Sequence, residues 1–271
     1  ARDRFCPIHS DSESLGNLIE SKFHDSWVEI SYGENNFLWY YTHNLWPPSV
    51  DSIHLLENLK KSAIMETIRP HSVLDLGSGT GFLGISLAKK YNFVRDIYLS
   101  DWLVTPFLFS GINWAKNQKG RSDVNFYPLL GLGFNWMNYE RPDSEKEKFD
   151  ICVVNPPYLP ELEKYPKIRA LDTVAGTDLL EEVITKGFNY AEEIVISFSN
   201  IATKEVKSAT EKAGIELQQL GESQEVPFRI PYVMKNIEYL KMLEDRGLKN
   251  TKGTRYPYWH KITTYRLVVS R

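Results

Sequence analysis

The chain has 271 residues, 42% of them hydrophobic and 25% charged, with a formal net charge of −3 at pH 7. That length suits one large domain with an extension or two modest domains, and the charge argues against a globally basic nucleic-acid binder while leaving room for a local basic patch. The two cysteines, Cys6 and Cys152, are too few for a disulfide framework and lie in no cluster of metal-ligand spacing, so a reducing cytoplasm and no metal are expected.

The chain opens on Ala1-Arg2-Asp3-Arg4-Phe5, without an initiating Met and without the apolar core of a signal peptide, so residues upstream are expected. No later stretch approaches the ~20 apolar residues of a membrane span. Residues 1–70 read as an N-terminal extension. A helix is expected over Ser14 to Phe23 and a strand over Trp27 to Ser31. The aromatic segment Phe37-Leu38-Trp39-Tyr40-Tyr41 follows, either lining a substrate pocket with Trp46 or burying to brace the extension. The prolines of Trp46-Pro47-Pro48-Ser49 stop any regular element. Ser49 or Asp51 then caps a helix through Ile53, Leu55, Leu56 and Leu59 towards Ile68, with apolar residues three and four apart.

From residue 71 the pattern alternates between strand and helix. Strands are expected at Val73 to Leu76, Asp96 to Ser100, Val124 to Tyr127, Phe149 to Val154 and Ile194 to Phe198. Helices fall at Leu83 to Lys90, Phe107 to Asn117, Asp178 to Tyr190 and Thr203 to Ala213. Such alternation specifies an α/β doubly wound fold, a parallel sheet covered on both faces. Glu216 to Gly221 and Ile262 to Ser270 read as the final strands, with an insertion at 222–261 that contains a helix from Pro231 to Arg246 and a polar tail.

Asp75-Leu76-Gly77-Ser78-Gly79-Thr80-Gly81 follows a strand and opens a helix. Glycines there allow a tight turn and close approach of the backbone to a ligand facing helix amides. The spacing is GxGxG, not the GxGxxG of dinucleotide binders. Asn155-Pro156-Pro157-Tyr158 ends the apolar strand that holds Cys152, itself read as a core filler. Asn offers an amide donor and acceptor, the prolines fix φ and leave the Pro156 carbonyl to accept, and Tyr adds a flat face. Such a tetrapeptide suits gripping a planar, nitrogen-bearing group.

The run from Val73 to Gly81 resembles the first motif of class I S-adenosylmethionine-dependent methyltransferases, and Asp101 matches their ribose-binding acid. The resemblance implies a seven-stranded Rossmann-like sheet over residues 71–271 and S-adenosyl-L-methionine held by Asp75, Gly77, Gly79, Gly81, Asp101 and Asn155. The NPPY stretch is similar to the fourth motif of amino-methyltransferases that act on protein glutamine or on exocyclic amines of nucleic-acid bases. This implies catalytic roles for Asn155, Pro156 and Tyr158, with in-line transfer to nitrogen and no metal or general base. The segment from Trp46-Pro47-Pro48-Ser49 to Leu59, Ala170-Leu171 and Gly176-Thr177-Asp178-Leu179-Leu180 resemble the protein-glutamine N5-methyltransferases that modify release factors, placing Trp46, Pro47 and Pro157 on the substrate side. Two features depart from that subgroup. The first 70 residues are shorter and richer in aromatics than its recognition domain. The acid that binds the adenine amine is replaced by Pro128-Leu129-Leu130-Gly131-Leu132-Gly133, leaving adenine to backbone groups and apolar packing.

From residue 232 onward Lys235, Lys241, Arg246, Lys249, Lys252, Arg255, Lys261, Arg266 and Arg271 outnumber Glu238, Glu244 and Asp245, with Tyr256, Tyr258, Trp259 and His260 interleaved. These residues form either a nucleic-acid contact or a solvated flap pinned by its aromatics. The expected activity is N-methyl transfer to a planar amide or exocyclic amine in a protein or nucleic acid. A small-molecule methyltransferase with the insertion as a lid, and a catalytically silent binding module, are the alternatives.

Overall fold

The computed structural model of the chain describes residues 6–9, 26–32, 35–42, 45–118, 120–135, 148–160, 176–228, 233–251 and 256–270. The helix expected over 14–23 and the Ala170-Leu171 pair lie outside them. Strands β1 (Cys6–His9), β2 (Ser26–Tyr32) and β3 (Asn35–Tyr41) form a small sheet of their own, in which β1 runs parallel to β2 and β2 antiparallel to β3.

The main sheet starts from β4 (Ser72–Leu76), β5 (Asp96–Asp101), β6 (Asn125–Leu130), β7 (Phe149–Val154) and β8 (Ala191–Ser199), all parallel in the spatial order β6-β5-β4-β7-β8. Beyond β8 lies β11 (Tyr258–Val269), antiparallel to it and to β9 (Ile215–Pro227). The two-residue β10 (Lys249–Asn250) also pairs with β11, giving eight strands among the described residues instead of the expected seven. The β9–β11 hairpin takes in 222–227 and 258–261 of the expected insertion, and β10 adds Lys249–Asn250 to the same sheet. Pro128 falls within β6, where its missing N–H costs no ladder bond because β6 ends the sheet.

Burial alternates along the central strands. Val73, Ile151, Val153 and Val195 face one core, while Leu74, Leu76, Cys152, Val154, Ile194 and Ile196 face the other. The first core is closed by α1 (Val50–Lys61), α2 (Ile64–Ile68), α3 (Phe82–Lys90) and α4 (Val104–Asn117), and the second by α5 (Asp178–Lys186) and α6 (Thr203–Ala213). A satellite core forms where α7 (Ile237–Asp245) packs Tyr239, Leu240 and Leu243 against Leu159 and Phe228. The Tyr239 hydroxyl donates to the Pro160 carbonyl at 2.7 Å, tying the insertion to the segment after the NPPY stretch.

The helix expected to run on to Ile68 breaks at Ala63, which takes φ 52°. A continuous helix would bring Ser62 and Glu66 into phase with buried Leu55 and Leu59. The left-handed step instead turns Ile64 and Met65 inward and leaves Glu66 exposed, offsetting the ~1–2 kcal/mol such a conformation costs. The small sheet docks through two asparagines of α4. Asn117 Oδ1 accepts from Leu38 N–H at 3.1 Å while its Nδ2 donates to the Leu38 carbonyl, and Asn113 Oδ1 accepts from Tyr40 N–H at 2.9 Å. These side chains satisfy backbone groups at the edge of β3 that would otherwise lie unpaired in a buried place. The aromatics of β3 resolve as bracing: Phe37 and Trp39 are fully buried and Tyr40 stacks on Phe109.

Candidate active site

Because β4, β5 and β7 are parallel, the turns after them open on one edge of the sheet. Gly77, Gly79 and Gly81 all take left-handed φ, at 73°, 52° and 78°. At Gly81 space demands glycine as well, since a Cβ would lie 2.6 Å from Leu99 Cδ1. The Gly77 and Ser78 N–H groups donate to the Ser100 carbonyl at 2.8 and 2.9 Å, and Gly79 N–H donates to Asp101 Oδ2 at 2.9 Å. Asp101 Oδ1 accepts from Leu103 N–H, so the carboxylate is fixed at the end of β5 beside the turn. Burial raises its pKa, opposed by these backbone donors.

Asp75, expected among the ligand contacts, lies instead beneath the turn. It is 1% exposed, and its Oδ2 accepts from Gly84 N–H at 2.8 Å within the first turn of α3. Burial, with the Asp101 charge adding to it and the Gly84 N–H opposing, pushes its carboxyl up to about 7. After β5 and β6, Gly131 N–H donates to the Asp101 carbonyl, and Trp102, Leu130 and Leu132 are exposed.

The acceptor side is built where α1 meets the NPPY stretch. Ser49 is the N-cap of α1, its Oγ accepting from Ser52 N–H at 3.2 Å. Asn155 Nδ2 donates to both Ser49 Oγ (3.2 Å) and Ser52 Oγ (2.9 Å). Asn155 Oδ1 is buried and has no partner among the described residues. The Tyr158 hydroxyl donates to Asp51 Oδ2 at 2.5 Å, and Asp51 is itself buried, which raises its pKa against the lowering effect of that bond. Pro156 is buried and Pro157 exposed.

Further along, α1 is anchored on the irregularity where the β9–β11 register shifts. There His54 Nε2 lies 2.8 Å from the Glu222 carbonyl and Asn58 Nδ2 donates to Thr264 Oγ1 at 3.1 Å. Trp46, expected on the substrate side, instead brings its carbonyl over the glycine turn, 3.5 Å from where a Cβ on Gly79 would stand. Pro47, expected there too, is buried and offers no surface; it turns the chain into α1. His260 was read in the basic, aromatic flap but is buried with Nδ1 2.8 Å from Ser199 Oγ, its ring centroid 5.9 Å from that of Tyr158. Burial drives its pKa down to about 3, so it is neutral at physiological pH.

Three of the nine basic residues counted in the C-terminal segment pair with acids outside it. Arg246 forms a two-bond pair with Glu205 at 2.6 and 2.7 Å, Arg266 pairs with Glu193, and Lys249 with Glu225. Trp259 Nε1 donates to the Tyr256 carbonyl and its ring meets Tyr256 edge-on, so these aromatics contact each other. Among the described residues no group of three His, Cys, Asp or Glu could hold a metal ion, and no helix is long and apolar enough to cross a membrane.

A family model described as lysine methyltransferase matches residues 35–159, from β3 through the NPPY stretch. A Rickettsia prowazekii protein named as a bifunctional methyltransferase is 27% identical over 176 residues, covering 65% of this chain and 30% of that protein. A Methanocaldococcus jannaschii protein named as a protein N5-glutamine methyltransferase is 26% identical over 154 residues, covering 55% of this chain and 68% of that one. Among solved structures, a Streptococcus mutans protein named as an S-adenosylmethionine-dependent methyltransferase superposes with a TM-score of 0.50 at 12% identity, covering 94% of this chain and 64% of that one. The chain has the mostly parallel, Rossmann-like α/β fold of the methyltransferases it is similar to. S-adenosylmethionine is the cofactor of such methyltransferases. The chain spans about 30% of the length of the Rickettsia relative, so it corresponds to one part of that longer protein.

Proposed function

We propose that this domain transfers a methyl group from S-adenosylmethionine to the nitrogen of a planar amide, the side chain of a protein glutamine. The observation that carries the proposal is the buried Oδ1 of Asn155 at the end of β7, which has no partner among the described residues. A buried acceptor without a donor costs ~1–3 kcal/mol, and an incoming N–H is the group that would relieve it. The cofactor, when bound, supplies an electrophilic methyl group. Gly77, Gly79 and Asp101 hold it, with Trp102, Leu130 and Leu132 against its base. An amide nitrogen is a poor nucleophile because its lone pair is delocalised. Accepting its N–H bonds at Asn155 Oδ1 and the Pro156 carbonyl favours the pyramidal form whose lone pair points at the methyl carbon. With the cofactor bound, that lone pair would take the methyl group while the C–S bonding pair stays with sulfur, and the nitrogen would shed one proton to solvent. Tyr158, steadied by Asp51, flanks the amide plane.

A lysine amine is the second reading, favoured by the family model over residues 35–159. That substrate must lose a proton before it attacks, and the buried Asp51 carboxylate behind Tyr158 is a group of the described site that would take it as a base. The pairing of Arg246, Lys249 and Arg266, three of the nine basic residues of that segment, weakens the support that composition lent to a nucleic-acid substrate.

The test is incubation with methyl-tritiated S-adenosylmethionine and separate pools of glutamine peptide, lysine peptide, RNA and metabolites, followed by strong acid hydrolysis. Label released as methylamine from the glutamine peptide is the expected result, because an N-methyl amide hydrolyses. Label surviving as methyl-lysine selects the second reading. Label in no pool, with cofactor bound, sinks both.

A further inference from the structure

We infer that Ser49 and Ser52 set the hydrogen-bond polarity of the acceptor site, so that it admits a nitrogen that carries hydrogen and rejects one that does not. The inference deepens the proposed function and rests on Asn155 facing the substrate.

An asparagine amide is symmetric in shape and opposite in polarity at its two ends. Left to itself, Asn155 could turn either its oxygen or its NH2 towards a ligand. Both serine oxygens lie within hydrogen-bond distance of Nδ2, at 3.2 and 2.9 Å, so two acceptors stand against its two N–H bonds. Ser49 Oγ and Ser52 Oγ are 3.2 Å apart, and Ser49 Oγ also accepts from Ser52 N–H as the cap of α1. With the amide protons taken, the oxygen is what remains, and it is buried without a partner among the described residues. The first turn of α1 acts on Tyr158 as well, through Asp51. One helical turn, held in register by His54 and Asn58 on the β9–β11 irregularity, thus fixes the orientation of both side chains of the NPPY stretch.

Such a site would accept primary amides, exocyclic amines and neutral amines. It would reject aromatic ring nitrogens that lack hydrogen, because these would set a lone pair against the Asn155 oxygen. Ser49 and Ser52 are positioning residues in this scheme: they act through Asn155 and need not touch the substrate.

The experiment follows the Asn155 side-chain amide by 15N NMR, its signals assigned by their loss in Asn155→Asp, with the protein loaded with S-adenosylhomocysteine. Acetamide is the probe, and N,N-dimethylacetamide its counterpart without N–H. The wild type is expected to respond to acetamide at about tenfold lower concentration than to the dimethyl compound. The Ser49→Ala/Ser52→Ala protein is expected to lose that preference, with faster solvent exchange of the Asn155 amide protons. The Ser49→Thr/Ser52→Thr protein, which keeps both hydroxyls, is expected to retain the preference. Equal response to both probes in the wild type, or a preference that survives the double alanine change, would overturn the inference. Failure of the N-methyltransferase reading would show separately, as an intact acetamide preference in a protein that labels none of the substrate pools.

Discussion

Replacing Asp75 by Asn removes a carboxyl whose pKa the fold pushes up to about 7 from its ordinary value of 3.8. The native state therefore holds this proton more tightly than the unfolded chain. Stability from this group is present at low pH and is lost as pH rises through about 7. Between pH 8 and pH 5 the native form of the wild type takes up the proton over about two pH units at ~1.4 kcal/mol each. It thereby gains roughly 3 kcal/mol that the Asn protein does not. Asn keeps an oxygen to accept from Gly84 N–H, so the turn itself survives the change. Scanning calorimetry should find Asp75→Asn more stable than wild type at pH 8, with the difference falling by roughly 5–10 °C in Tm on going to pH 5. Calorimetric titration at pH 8 should also show cofactor affinity weakened about tenfold, since the ionised carboxylate favours the two positive centres of S-adenosylmethionine from beneath. A Tm difference that does not change with pH would refute the burial argument. A Tm difference with the expected slope but unchanged affinity would leave Asp75 a purely structural acid.

Asn117→Ala removes the side chain that bonds both backbone groups of Leu38, and is expected to cost ~2 kcal/mol. Amide exchange at Leu38 and Tyr40 should accelerate well ahead of exchange in β4 and β7; uniform acceleration would show that the small sheet does not dock through α4. Trp102→Ala should raise the cofactor dissociation constant about tenfold with little change in Tm, because the ring is 42% exposed in the free protein. Unchanged affinity by fluorescence titration would place the adenine elsewhere.

The strand–helix alternation was legible because the parallel strands are buried on both faces and read as short apolar runs between turn residues. The glycine turn and the NPPY stretch were legible because each sits at a strand end, where local spacing alone marks it. Contacts between distant segments were not. Ser49 reads as a helix cap from its own neighbours, yet its second role faces Asn155, 106 residues away. The break at Ala63 escaped because apolar spacing of three and four holds on each side of it, in Leu55, Leu56 and Leu59 and again in Ile64, Met65 and Ile68, and only packing decides which face turns inward. Composition counted Arg246, Lys249 and Arg266 as free charge, whereas strand pairing and helix packing bring Glu205, Glu225 and Glu193 to them. His260 carried no buried signature within a polar tail, and burial came from its place on β11 between Phe228 and Tyr158.

The most direct test of the central claim is Asn155→Ala, read by two measurements on the same protein: cofactor affinity by calorimetry, and initial rate of tritiated methyl transfer to a glutamine peptide. Loss of the acceptor oxygen should slow transfer by about 10²–10³ while leaving the cofactor dissociation constant within a factor of two. Transfer that continues at the wild-type rate, or a parallel collapse of cofactor binding, would contradict the assignment of Asn155 to the acceptor nitrogen.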